Sequence, residues 1–244
     1  IFDNMCGRYT LTAEEQQELE DFLNSIDHGT PPPLNRRPGK QTEIFFANYN
    51  VAPTHEMPVA FVNEEGQRVI VSMHWGFMGW KPKKGDKPFT PINTRDDKIM
   101  SSRMWKSPFL NRRCIVPANG FYEWTGSKGN KTPHYIYPKE GKFMGFAGIY
   151  SDIAPESSSV GQSYSIITTS PNKLMESIHD RMPVILHPEE FDDWLNPENT
   201  DPDFLLDFLE PYPDDALKEH IVPKAVGNVK NNEPGLIEKA DLFG

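Results

Sequence analysis

Cysteine is nearly absent. The 244-residue chain holds two, Cys6 and Cys114, too few for a disulfide framework, and free thiols fit a reducing compartment. Long apolar runs are missing too. Nothing approaches the ~18–20 apolar residues of a membrane span, and no basic region followed by an apolar stretch marks a secretory signal. Two cysteines and seven histidines show neither C-x-x-C nor H-x-x-x-H spacing, which excludes the common zinc sites. We expect no metal, no cofactor and no membrane partner. Positive charge is in deficit, with a formal net charge of −10, which at first argues against nucleic acid. No segment repeats, and no convincing linker divides the chain.

What is present fits one α+β domain. Apolar residues make up 37%, with 15 Phe and 5 Trp, enough for one sizeable core. The 23 Pro and 17 Gly imply many turns and few long helices. The charge is also uneven. Residues 81–113 carry ten basic side chains against three acidic ones, whereas 189–219 carry twelve acidic side chains against Lys218 alone. A local basic face matters more for anion binding than the total. The alternative for Lys81–Lys87 is a solvated lysine-rich loop. The acidic segment would repel a polyanion, so it is expected to face away from any such site.

Thr12 and Glu15 have capping-box spacing. Leu19, Phe22, Leu23 and Ile26 follow at helical spacing, so an amphipathic helix is predicted over 13–27, ending near Gly29. Residues 30–42 read as a proline-rich loop. Met57–Val62, Arg68–Trp75, Cys114–Pro117, His134–Tyr137, Phe143–Tyr150 and Ser163–Thr169 read as short strands between Gly, Asn and Pro turns. Ser170-Pro171 has helix-start chemistry, predicting a short helix over 171–178. Pro188–Leu195 and Pro202–Leu209 read as further short helices.

Several groups carry potential chemistry. If translation begins at Met5 and that methionine is removed, Cys6 becomes N-terminal, with an amine and a thiol on adjacent carbons. These titrate at roughly 7.7–8.0 and about 8.5, so each has a reactive fraction at neutral pH. The alternative is an ordinary buried cysteine. Asn93-Thr94-Arg95 offers an amide and a planar fork suited to phosphate, or simply a polar turn. Phe121-Tyr122-Glu123-Trp124 sets a carboxylate among aromatics, where a raised pKa would suit proton shuttling; the alternative is a solvent-facing Glu on an edge strand. Ile178–Pro183 supplies His179, Asp180 and Arg181. His74–Trp80 is a glycine-broken aromatic loop beside the lysines, the ingredients for stacking single-stranded bases.

Taken in order, Met5–Tyr9, Tyr49–Pro53, Trp75-Gly76, Ile92–Arg95, Pro117–Trp124, Ile178–Pro183 and Val226–Lys230 resemble the SOS response-associated peptidase (SRAP) family. Each motif is weak alone; the ordered set is specific and spans Met5 to about Asn231. The family shields abasic sites in single-stranded DNA by covalent crosslinking. The resemblance implies a mainly antiparallel, barrel-like α+β domain with short peripheral helices. It implies Cys6 as the nucleophile that forms a thiazolidine with the ring-opened sugar, Asn93 contacting amine and sugar, Glu123 as acid/base, and His179 assisting proton transfer. Arg8, Arg95 and Arg181 match phosphate- or sugar-contacting arginines. Asn50, Thr168 and Trp80 complete the expected DNA-binding set.

We therefore expect a monomer of residues 5–231, acting on abasic single-stranded DNA in the cytoplasm and on the nucleoid. Ile1–Asn4 would be an expression remnant or an unprocessed extension, and 232–244 a C-terminal tail. While residues precede Cys6 it has no free amine. Two other readings remain open: a cysteine N-terminal hydrolase that cleaves itself before Cys6, and a non-catalytic single-strand-binding or interaction module.

Overall fold

The computed structural model describes residues 7–13, 16–24, 47–83 and 85–241. From the N-terminus come β1 (Tyr9–Leu11), helix α1 (Gln16–Asn24), β2 (Asn48–Val51), β3 (Glu56–Val62), β4 (Arg68–Trp75) and β5 (Asn93–Arg95). Helices α2 (Asp96–Ile99) and α3 (Lys106–Asn111) lead to β6 (Arg113–Ala118), β7 (Gly120–Ser127), β8 (Asn130–Pro138), β9 (Met144–Ser151) and β10 (Ser163–Thr169). Last are α4 (Lys173–Glu176), β11 (Met182–Pro183), β12 (Ile185–Leu186), α5 (Phe191–Leu195), α6 (Pro202–Leu206) and β13 (Leu217–Ile221).

The strands make two sheets, not a closed barrel. Five strands run β13-β8-β7-β1-β2; eight belong to a second sheet built on β11-β10-β4-β3-β6-β9-β12, with β5 on β10. Most pairs are antiparallel, but β10 runs parallel to β4 and β5, so the second sheet is mixed. The sheets face each other across one core. Tyr9, Phe121, Ile136 and Leu217 from the first meet Trp75, Phe146, Tyr164 and Ile166 from the second. Tyr9 and Tyr164 share a buried hydroxyl–hydroxyl bond of 2.8 Å, which satisfies both polar ends inside the core.

Alternation along the strands fills the other face as well. Tyr122 and Tyr135 point outward, where Val222, Val226 and Leu236 cover them. The chain therefore packs beyond residue 231: Leu236 is buried and His220 donates to the carbonyl of Ile237 at 2.8 Å.

Helix α1 buries Leu19 and Leu23, as its spacing requires. Ile26 and Glu15, and the loop 30–42, lie outside the described residues. The Thr12 hydroxyl donates to Asn119 at 3.1 Å, and its capping-box partner Glu15 lies outside the described residues. The helix predicted over 171–178 shrinks to α4, capped by Asn172 rather than Ser170, with Asn172 accepting from the amide of Met175 at 3.0 Å. The carboxyl-terminal helices are short because β-type Asn196 and the Asp207 turn end them.

Candidate functional site

The N-terminal strand is read off β7. Tyr9 lies opposite Phe121 and Thr10 opposite Gly120, and the Tyr122 amide donates to the carbonyl of Arg8 at 3.0 Å. Gly120 must be glycine, because a Cβ there would run into the Tyr135 ring. Continued past Arg8, the same register would run Gly7 toward Glu123. Phe121 packs inward on Phe146, ring centroids 6.0 Å apart; Glu123, two residues on, shares that inner face. It is 4% exposed. β7 is flanked by β8 and β1, so Glu123 is no solvent-facing edge residue. Cys6 lies outside the described residues.

Arg8 is clamped. Its Nη1 donates to Asn50 Oδ1 at 2.7 Å and to the carbonyl of Val226 at 2.9 Å. Asn50 Nδ2 meets the carbonyls of Val226, Asn228 and Asn231 at 3.2, 3.0 and 3.0 Å. Asn50, expected to face DNA, is 1% exposed and its amide is turned to the chain's own backbone. It ties Val226–Asn231 to the N-terminal strand and holds Arg8 in place. Burial pulls the Arg8 pKa down, opposed by the Tyr122 phenol. His55 is held below its usual value by burial and by Arg8.

Across the seam, β5 pairs with β10, Asn93 opposite Ile166 and Arg95 opposite Thr168. Thr94 is buried and bonds Ser165 hydroxyl to hydroxyl at 3.0 Å, so alternation places Asn93 and Arg95 on the other side of β5. Arg95 is exposed and grips Asp97 with two bonds of 2.9 and 3.0 Å. Such a surface pair is worth only about 0–1 kcal/mol, so a phosphate can displace Asp97.

Two neighbours differ from expectation. Thr168 is fully buried, and its hydroxyl donates to the Thr94 carbonyl at 3.3 Å. It pins β5 to β10. Arg181 has a side chain 12% exposed and is paired with Asp96, while also donating to the Thr168 carbonyl. Asp96 in turn accepts from the Thr169 hydroxyl at 2.7 Å. The sequence reading missed Asp96, since an acid after Asn-Thr-Arg looks like turn filler. His179 sits beside this web. Its Nδ1 accepts from the Arg181 amide at 3.2 Å and lies 2.9 Å from Asp180 Oδ1. The first contact needs a bare Nδ1, the second a protonated one, so the two favour opposite states of the ring.

The aromatic loop is partly as expected. Phe77 is buried against Trp105, centroids 5.0 Å apart, whereas Trp80 is 57% and Phe89 63% exposed. Lys81, Lys83 and Lys87 are exposed around them; Lys84 lies outside the described residues. Arg113 does not join this face. It is buried, donates to the carbonyls of Trp194, Phe109, Leu110 and Asn196, and burial pushes its pKa down to about 10.

The acidic segment is divided. Asp192 pairs with Arg68, which begins β4, while Trp75 ends it. An 8-residue strand at about 3.3 Å per residue separates that acid from the aromatic loop. Glu219, by contrast, returns to β13 and pairs with His134.

The structure thus gathers Asn93, Arg95, Thr168, His179 and Arg181 around β5, β10 and β11, and Arg8, Asn50 and Glu123 around β1, β2 and β7. Among the described residues no group of three His, Cys, Asp or Glu side chains is placed to hold a metal. The groups on show suit proton transfer and anion contact.

Residues 5–229 match the family model described as SOS response associated peptidase (SRAP). The chain is 36% identical over 235 residues to "Abasic site processing protein YoqW" of Bacillus subtilis (strain 168), covering 96% of this chain and 99% of that one. It is 31% identical over 242 residues to "Abasic site processing protein HMCES" of Pongo abelii, covering 83% and 68%. A crystal structure of a protein from Bacteroides thetaiotaomicron superposes with a TM-score of 0.68 at 27% identity, covering 79% of this chain and 85% of that one.

Proposed function

We propose that this chain, which belongs to the SOS response associated peptidase (SRAP) family, processes abasic sites in single-stranded DNA by trapping them covalently at Cys6. The observation that carries this reading is the β1–β7 register, which runs the chain that follows Cys6 along the strand holding a buried carboxylate, Glu123. The family match begins at Met5, one residue before Cys6, and the reading requires Cys6 to be exposed as the N-terminus.

An abasic sugar is mostly a closed hemiacetal. Glu123 delivers a proton to the ring oxygen as its bond to the anomeric carbon breaks, and takes one back from the anomeric hydroxyl, leaving an aldehyde. The Cys6 amine adds and expels water to give an imine. The tethered thiolate then adds to the imine carbon, and the nitrogen takes a proton. Tethering makes ring closure unimolecular, worth up to about 7–11 kcal/mol in good cases. Sulfur capture diverts an imine that would otherwise allow strand cleavage by β-elimination. His179 assists the proton transfers, Asn93 contacts amine and sugar, and Arg95 takes a phosphate in place of Asp97. Arg8 and Arg181 contribute field and position more than direct contact.

The chain works as a monomer where DNA is held, and among the described residues no helix is long and apolar enough to cross a membrane. The test uses protein beginning at Cys6 and a uracil-containing single strand treated with uracil glycosylase. A denaturing gel is expected to show an adduct with the abasic strand and none with the intact one, and Cys6→Ala to abolish it. Equal adduct from Cys6→Ala overturns the thiazolidine. Protein verified by mass to begin at Ile1 is expected to bind without crosslinking, because its Cys6 nitrogen is an amide. The description of the family as a peptidase favours a second reading, self-cleavage before Cys6, which needs the thiol and not the amine. Cleavage with no adduct would support it.

A further inference from the structure

Beside Glu123, the inner face of the five-stranded sheet carries a polar relay that the chemistry above leaves unused. Phe121, Ile136 and Leu217 hold the buried part of that face. Toward its rim the same rows continue as Glu123 and Thr125 on β7, His134 on β8 and Glu219 on β13. His134 Nε2 lies 2.8 Å from Thr125 Oγ1, and its Nδ1 is bonded to Glu219 Oε1. The His134 side chain is 13% exposed and that of Glu219 28%. His134 lies directly opposite Glu123 in the β7–β8 register, so their Cβ atoms are about 4.5–5.5 Å apart.

Both partners of the imidazole suit either protonation state. In the neutral ring Nδ1–H donates to Glu219 and Nε2 accepts from the Thr125 hydroxyl. In the imidazolium both nitrogens donate, and the Thr125 hydroxyl only has to turn round. The ring can take up or release a proton without losing a hydrogen bond. Among the described residues, the ionisable groups facing it are Glu123 from β7 and Glu219 from β13. On the other face of β8, Tyr135 packs on Val222 and Val226.

We propose that His134, held between Glu219 and Thr125, is a positioning residue that acts through Glu123. Its charge, one strand away, sets how readily the Glu123 carboxyl gives up and recovers the proton that opens the abasic sugar. This rests on Glu123 as the acid/base group. Two consequences separate it from a structural tie: the effect depends on pH, and it vanishes once Glu123 can no longer ionise.

The experiment measures single-turnover crosslinking of the abasic single strand against pH, with noncovalent affinity and thermal melting alongside. His134→Gln is expected to crosslink about tenfold more slowly near neutral pH, less than the ~10²–10⁴-fold of a general acid/base itself, and to lose an inflection in the profile. Affinity should stay within about twofold of wild type, since no phosphate contact is removed. Glu219→Gln and Thr125→Val should shift the same inflection; they carry the test if His134→Gln does not fold. In a Glu123→Gln background, His134→Gln should add nothing. A His134→Gln profile identical to wild type overturns the inference alone. So does a variant that slows crosslinking equally at every pH, or slows Glu123→Gln further. Failure of the wild-type protein to form any adduct overturns the functional reading, and this inference with it.

Discussion

Glu123 concentrates the chemistry in one side chain. A carboxylate 4% exposed survives burial only with partners, and its neighbours along β7 are aromatic. Glu123→Gln keeps the shape and removes the proton, so crosslinking is expected to slow by about 10²–10⁴-fold while affinity for the abasic strand holds. Wild-type rates in both Glu123→Gln and His179→Ala would overturn the acid/base assignment even if Cys6 stands. Asn50 behaves differently. Its amide closes three carbonyls and receives Arg8, so Asn50→Ala removes a partner from the buried Val226, from Asn228 and Asn231, and from the Arg8 guanidinium. A stability loss of about 1–3 kcal/mol is expected, read by denaturant unfolding; an unchanged midpoint would leave Asn50 free to face DNA as its motif suggests. At this scale the sequence showed residue types and not their environments. Glu123 was visible as a carboxylate among aromatics, but its burial depends on β7 lying inside the sheet between β8 and β1. Asp96 was invisible because its partners, Thr169 and Arg181, come from far along the chain.

The β5 edge and the aromatic loop after β4 are the elements that present the site to a strand. Arg95 is exposed and weakly held by Asp97, so Arg95→Ala is expected to flatten the salt dependence of noncovalent binding by about 0.7 per lost phosphate contact. Trp80 and Phe89 stand proud among lysines. Trp80→Ala should cost roughly 1–3 kcal/mol of single-strand affinity with little change in salt slope, the signature of stacking. Fluorescence titration across salt concentrations separates the two; an unchanged affinity in Trp80→Ala would make the loop a solvated turn. Element legibility followed length and apolarity. β3, β4 and β10 are buried over most of their length and were read as strands from β-prone segments between Gly, Asn and Pro turns. β5 and β11 have three and two residues, too few for a period, and exist because β10 offers an edge. β13 reads as polar, Leu-Lys-Glu-His-Ile, and is a strand only because β8 pairs with it.

Over the whole molecule, the seam between the sheets ties stability to pH. His55 and His74 both titrate below the usual histidine value of 6.5, in each case chiefly through burial. The charge of Arg8 adds to the effect at His55, while Glu56 opposes it at His74. His74 Nδ1 has no hydrogen-bond partner among the described residues, so the folded state offers a proton nothing there. Glu56, opposite His74 in the β3–β4 register, accepts from the Ser158 hydroxyl and the Ser159 amide at 2.8 and 2.6 Å. These bonds outweigh its desolvation and bring it below the usual 4.5. All three groups bind protons more readily unfolded than folded, so stability rises with pH wherever they titrate. The histidine contribution is complete above about 6.5 and fades as pH falls through the folded values; that of Glu56 fades below 4.5. Melting temperature is therefore expected to fall on acidification in two stages, by about 2–4 °C for each kcal/mol lost. His55→Gln and His74→Gln should flatten the first stage and leave the second. A melting temperature that rises between neutral pH and the histidine range, or a first stage unchanged in both variants, would show that the seam tolerates charge and that these rings are not buried neutral.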